Sequence, residues 1–315
     1  MSRSTPRWGE LPELRPKVDG TGTATRVERP SWISARSREA MRARTESMAG
    51  QNGYPDVGSY PIVVVLSLLA SGIGIAATAV LATLAVLGRA LTPSAGAVAA
   101  IFGAVIVVAA GYPFLALLVL FVVASSLATR LGFDQKSARK VQEGIRGERG
   151  ISNVLAHILL PTAIALAVGA GPGVLSETDG AILFASALSF GAADTFASEI
   201  GVLSGSARSI LTGRLVEPGT NGGVSLPGEA WAFVGALATA VIGAALFALF
   251  GVALTQPGLF VALVALAGFV GCQIDSILGE TLENRGLLTK GSTNFLGMLS
   301  AALVALGGLW WLGPH

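Results

Sequence analysis

Eight long apolar runs, repeated from residue 61 to residue 312, leave this chain few folds to adopt. An α-helix needs about 20 apolar residues to cross the hydrocarbon core of a bilayer. Runs of that kind lie near residues 61–87, 93–110, 113–129, 153–170, 181–201, 230–254, 259–282 and 292–312. The apolar region around Gly111, Tyr112 and Pro113 is too long for one helix, so it is cut there into a tight hairpin. The expectation is an all-α fold, a polytopic transmembrane bundle of about eight helices. Composition agrees: 52% of residues are apolar and 13% are charged, against roughly a quarter charged in a soluble domain.

Two domains follow from the charge distribution. Residues 1–59 carry 10 Lys and Arg and 7 Asp and Glu, interleaved with Pro and Gly and without an apolar period. This segment reads as a disordered or loosely attached polar tail ahead of a transmembrane helical domain over 60–315. No short apolar stretch with a cleavage site follows Met1, so a secretory signal is not expected. A net charge of +2 gives no ground for a nucleic-acid partner; the partner implied is the lipid bilayer. The lone cysteine, Cys272, excludes an intrachain disulfide and a cysteine-based zinc site.

With eight spans the connections alternate sides. Arg89, the basic residues from Arg130 to Arg149, Arg208 and Arg214, and Arg285 and Lys290 all fall on one side, eleven against none on the other. Basic loops stay in the cytoplasm, so the expected localisation is the cell membrane, multi-pass, with the polar loops cytoplasmic.

Two spans descending to that side end alike, in Asp194-Thr195-Phe196-Ala197-Ser198-Glu199 and Asp275-Ser276-Ile277-Leu278-Gly279-Glu280. Each is followed by a polar loop and a Thr-Asn pair, Thr220-Asn221 and Thr293-Asn294, and the fourth span opens with Ser152-Asn153. The pattern is a weak internal repeat of helical hairpins. Asn153 and Asn294 also suit ordinary helix capping, the favoured reading of the two alone. The carboxylates are costlier: an ionised Asp at a membrane helix centre costs about 2.5 to 3.5 kcal/mol and is kept where it is paired, watered or used. Asp194, Glu199, Asp275 and Glu280 are therefore catalytic candidates, with structural ion pairing as the rival. On an α-helix Asp194 and Glu199 point about 140° apart, whereas Ser276, Glu280 and Glu283 share a face. His157 reads as a packing or hydrogen-bonding residue, since no cysteine cluster or second histidine accompanies it.

Ahead of the sixth span runs Glu217-Pro218-Gly219-Thr220-Asn221-Gly222-Gly223-Val224-Ser225. Glycines before a helix N-terminus let backbone N–H groups approach an anion, although no Walker sequence is present. Alone it reads as a turn. With Arg208, Arg214, Lys136, Arg139 and Lys140 on the same side, it supplies the parts of a metal-phosphate site.

These motifs, Ala193-Asp194-Thr195-Phe196-Ala197-Ser198-Glu199-Ile200-Gly201, Gly219 to Ser225 and Asp275 to Gly279, resemble the phytyl-phosphate kinase family of integral membrane proteins, over roughly residues 81–312. The resemblance implies transfer of a nucleotide phosphoryl group to a prenyl monophosphate of phytyl or geranylgeranyl type, so nucleoside triphosphate and prenyl phosphate are the expected partners. Two anions must meet in such a reaction, which calls for Mg²⁺ and cationic side chains. Asp194 and Asp275 are the expected Mg²⁺ ligands. Lys136, Arg139, Lys140, Asn153, Arg208, Arg214, Gly219, Thr220, Asn221, Gly222 and Gly223 are the expected phosphate or nucleotide contacts. The alternatives are a transporter or flippase for an ion or lipid phosphate, and a nucleotidyltransferase making a CDP-activated lipid.

Overall fold

The computed structural model describes residues 60–312. The tail expected over 1–59 lies outside the described residues. The helices are α1 (Tyr60–Leu87), α2 (Pro93–Ala110), α3 (Tyr112–Arg130), the short α4 (Phe133–Ala138), α5 (Ile151–Gly169), α6 (Glu177–Gly201), α7 (Leu226–Leu249), α8 (Pro257–Leu278) and α9 (Lys290–Leu312). Eight of these, all but α4, are long and apolar enough to cross a membrane, which bears out the polytopic helical bundle.

The break at Gly111 falls where expected, at φ 94, a conformation open to glycine, with Pro113 in the first turn of α3. Elsewhere polar caps move the helix ends. α6 starts at Glu177, ahead of the expected residue 181, because the Ser176 hydroxyl accepts from the Asp179 amide at 3.0 Å. α7 likewise starts at Leu226, where the Ser225 hydroxyl accepts from the Gly228 amide at 3.2 Å. It stops at Leu249, short of residue 254, and the chain turns through Gly251 at φ 85.

One feature departs from all-helical expectation. The loop between α6 and α7 folds into a small antiparallel sheet of β1 (Ala207–Ser209), β2 (Leu215–Val216) and β3 (Gly223–Val224), in the order β2-β1-β3. Its register pairs Arg208 with both Leu215 and Val224. Tertiary packing decides here, since strands of two or three residues carry no readable period.

α6 is the axis of the bundle. Within its spanning window 83% of residues are buried, against at most half in any other span. Small residues make this possible, because lipid offers no hydrophobic drive for helix association and close packing must supply it. Gly235 of α7 packs on the Ala192 carbonyl, Gly268 of α8 on Ser189, and Gly297 of α9 on the Phe190 ring. At its other end Phe184 meets Phe114 edge-on at 5.0 Å, and Phe114 meets Phe247 at 4.9 Å. Asp194 thus sits on the element whose position the fold defines most completely.

Candidate functional site

Where α6 and α8 end and α5, α7 and α9 begin, the helices part around a polar cavity of about 360 Å³. Asp194 from α6 and Asp275 from α8 both line it, together with Glu199, Asn153, Lys140 and the loop residues Gly219, Asn221, Gly222 and Gly223. Two carboxylates far apart in sequence therefore open on one space.

The glycine loop is tied down from below. Gly222 has φ 75, and a Cβ there would collide with the Glu280 Cβ and the Ser276 carbonyl, so only glycine lets the loop lie flat on the end of α8. Glu280 accepts from the Ser209 hydroxyl at 2.5 Å and from the Leu211 amide at 3.3 Å, while the Asn221 amide donates to Glu283 at 3.1 Å. The reason lies in the backbone, which widens into a π-helical turn over Gly279–Glu283. An extra residue per turn breaks the shared face expected for Ser276, Glu280 and Glu283. Ser276 and Glu283 still line the cavity, and Glu280 holds the loop instead.

Three expected phosphate contacts are spent on backbone or neighbours. Lys136 is fully buried, and its ammonium donates to the Thr129 carbonyl at 2.7 Å, the Ala128 carbonyl at 3.3 Å and Glu199 at 2.7 Å. An ammonium has three hydrogens, so none is left for a ligand. Glu199 also accepts from the Thr129 hydroxyl at 2.7 Å, which makes this carboxylate part of a lock between α3, α4 and α6. Arg139 donates to the Val202 carbonyl and Arg208 to the Gly213 carbonyl, each at 2.9 Å. Neither lines the cavity, nor do Lys136, Arg214, Thr220 or Glu280. Lys140 does, at φ 58.

Two further cations on the cavity wall, Arg149 and Lys290, were not among the expected contacts. Each stands four residues before an asparagine at the start of a helix, in Arg149-Gly150-Ile151-Ser152-Asn153 and Lys290-Gly291-Ser292-Thr293-Asn294. All four of these polar residues line the cavity. A cation-Gly-x-hydroxyl-Asn pattern was the signal available. Capping is not what the asparagines do: Gly150 holds the N-cap position of α5, and the Thr289 hydroxyl accepts from the Ser292 amide at 3.3 Å at the start of α9. Thr293-Asn294 lies within α9 while Thr220-Asn221 lies in the loop before β3, so the two Thr-Asn pairs are not equivalent in the fold.

Glu143 joins these walls, bonded to the Lys290 ammonium at 3.0 Å. Burial works to raise its pKa, yet the Lys290 charge and hydrogen bond, with Arg149, hold it below the ordinary carboxylate range. Burial lowers that of Arg149, against the attraction of Glu143, Glu199 and Asp194. At the start of α7 the helix dipole is already met by Glu229, which accepts from the Gln273 amide at 2.8 Å. An anion in the cavity is therefore drawn to Arg149, Lys290 and the loop rather than to that helix terminus.

Asp194 and Asp275 are the residues that could hold a magnesium ion, with its remaining ligands supplied from outside the chain. Among the described residues no three His, Cys, Asp or Glu side chains form a complete cage. Asp194 and Asp275 nevertheless face one polar space, and Oδ1 of Asp275 is buried there without a hydrogen-bond partner. One or two carboxylates completed by phosphate oxygens is the usual way proteins bind Mg²⁺.

The architecture is that of a polytopic helical membrane protein with an acid-lined polar cavity at one end of its bundle. The chain belongs to the family described as integral membrane protein DUF92, which matches residues 76–312. Among its relatives are an uncharacterized membrane protein, MJ0933, of Methanocaldococcus jannaschii, 30% identical across 65% of this chain and 80% of its own length. Another, sll0875 of Synechocystis, is 32% identical across 69% of this chain and 82% of its own. Protein PGR of Arabidopsis thaliana is 33% identical across 56% and 67%. No solved structure matches the chain.

Proposed function

We propose that this protein transfers the terminal phosphoryl group of a nucleoside triphosphate to a prenyl monophosphate in the membrane, giving the prenyl diphosphate. The observation that carries the reading is the convergence of Asp194 and Asp275 on one polar cavity that also holds Arg149, Lys290 and the glycine loop. A bound Mg²⁺ would supply charge neutralisation between the two phosphates. The chain's own residues do the rest. Asp194 and Asp275 hold that ion, and Arg149 and Lys290 offset the remaining anionic charge. The loop amides at Gly222 and Gly223 orient phosphate oxygens, and the buried walls of α6 and α8 keep water from the phosphorus. An oxygen of the prenyl phosphate attacks the terminal phosphorus as the bond to the bridging oxygen breaks, leaving nucleoside diphosphate. The acceptor is already ionised, so no general base is required, in keeping with a cavity that has one histidine at its margin.

The test is turnover by the purified protein with ATP or CTP, Mg²⁺ and geranylgeranyl monophosphate. Prenyl diphosphate and nucleoside diphosphate are the expected products. Pyrophosphate release would replace this reading with nucleotidyl transfer, and flux of phosphate without nucleotide turnover would replace it with transport.

The cavity end of the bundle is assigned to the cytoplasm, where nucleotide is present, on the strength of the eleven Lys and Arg on that side. Lys136 is too buried to report this, whereas Arg214 and Gln256 are exposed at opposite ends. On a Cys272→Ala background, Gln256→Cys is expected to react with an impermeant thiol reagent in intact cells and Arg214→Cys only after lysis. The reverse pattern overturns the orientation.

A further inference from the structure

Beside the polar cavity lies a second space of about 400 Å³, lined almost wholly by apolar side chains from α1, α2, α3 and α5. Its lining runs along α1 from Thr78 to Gly88, which at 1.5 Å per residue is about 15 Å, half the thickness of a bilayer core. Small residues, Ala82, Ala85, Ala99 and Gly103, keep it open. α1 is the least buried span, so one side of this groove is exposed to lipid.

The groove and the polar cavity share Arg149, Asn153 and His157. At this junction hydrogen-bonding capacity is unmet. Arg149 is 7% exposed, yet its Nε has no partner and Nη2 donates only to the Thr129 hydroxyl at 3.4 Å. Among the described residues the ion pairs are Lys136 with Glu199 and Lys290 with Glu143, and Arg149 joins neither. His157 donates from Nδ1 to the Asn153 carbonyl at 2.9 Å, while its buried Nε2 is unpartnered. A buried guanidinium with an unmet N–H and no direct ion-pair partner is costly, and the cost is relieved by an anion that binds there.

We propose that this anion is the headgroup phosphate of a single-chain lipid, whose tail occupies the α1–α2–α3–α5 groove and whose phosphate enters the polar cavity past Arg149. The groove's length along α1 matches one leaflet, its lining is almost wholly apolar, and its polar end carries Arg149 and Arg130. The lipid loads sideways from the bilayer, and the nucleotide reaches the cavity from the aqueous loops. The assignment rests on the phosphotransfer reading for which phosphate the cavity acts on, but binding alone tests it.

The experiment uses the full chain in nanodiscs without nucleotide, titrated with geranylgeranyl monophosphate, geranylgeraniol and inorganic phosphate. The monophosphate is expected to bind at least tenfold more tightly than either fragment. Arg149→Gln should weaken the monophosphate by roughly thirtyfold, the scale of a charged hydrogen bond, and leave the alcohol unchanged. Ala85→Trp, which fills the groove, should weaken monophosphate and alcohol together and serves if Arg149→Gln does not fold. Equal binding of monophosphate and alcohol, or unchanged binding in Ala85→Trp, overturns the site. Binding with this pattern but no transfer when nucleotide is added leaves the site standing and removes the kinase reading. Transfer with an unchanged KM in both variants does the opposite.

Discussion

Asp194→Asn and Asp275→Asn are each expected to lower turnover at least a hundredfold while leaving the melting temperature close to that of the parent. Asparagine keeps the size and hydrogen-bonding capacity of the side chain but loses the anionic oxygen that a hard cation needs. Neither carboxylate is bonded to a cation in the folded chain; the ion pairs among the described residues belong to Glu199 and Glu143. Removing either charge therefore breaks no direct ion pair. Turnover and melting measured on the same preparations decide the matter. Full activity in both variants ends the metal role, and a large fall in melting temperature assigns the carboxylates to structure.

Lys136 and Glu199 should show the inverse behaviour. Glu199→Gln leaves a fully buried ammonium beside a neutral amide, and loss of one partner of a buried pair costs about 3 to 5 kcal/mol. Lys136→Met strands the carboxylate in the same way. The double variant Lys136→Met with Glu199→Gln is expected to recover most of the lost stability, because it removes both charges together. Unfolding in detergent across the four proteins of this cycle measures the coupling. Additive losses would mean that the pair does not act as a lock. Any fall in activity that the double variant restores belongs to the positioning of α6 and not to ligand contact.

These two predictions divide residues that look alike in sequence, and the division shows what the sequence carried. The spans were legible because each apolar run is long enough to declare itself without reference to its neighbours. Asp194 and Asp275 were legible for the complementary reason, since a carboxylate inside such a run is costly unless something in the fold requires it. Both side chains line the same cavity. The basic residues were not separable this way. Lys136 and Arg149 lie in the same loop region, but Gly132 at φ 62 sets the start of α4, which carries Lys136 into the core, while Arg149 is fixed by a bridge to Leu91. Both outcomes depend on tertiary contacts that no local pattern encodes. Glu280 escaped because helical phase was assumed to continue through residue 283, and the π-helical turn interrupts it. The place of Asn294 in the cavity escaped because the two asparagines alone suited helix caps, whereas the cap position of α5 is held by Gly150.

The burial of α6 also bears on how the protein answers to its surroundings. A helix bounded by lipid takes its tilt and depth from bilayer thickness, and shifts when the membrane changes. α6 is bounded by other helices along nearly its whole length, so its height is fixed by the volumes of protein side chains. The outer helices, α1 above all, act as a compliant sleeve that absorbs changes in lipid composition. Asp194 is thereby insulated from the solvent in which the protein is embedded, and a membrane altered by temperature or growth would change access to the site before it changed the chemistry inside.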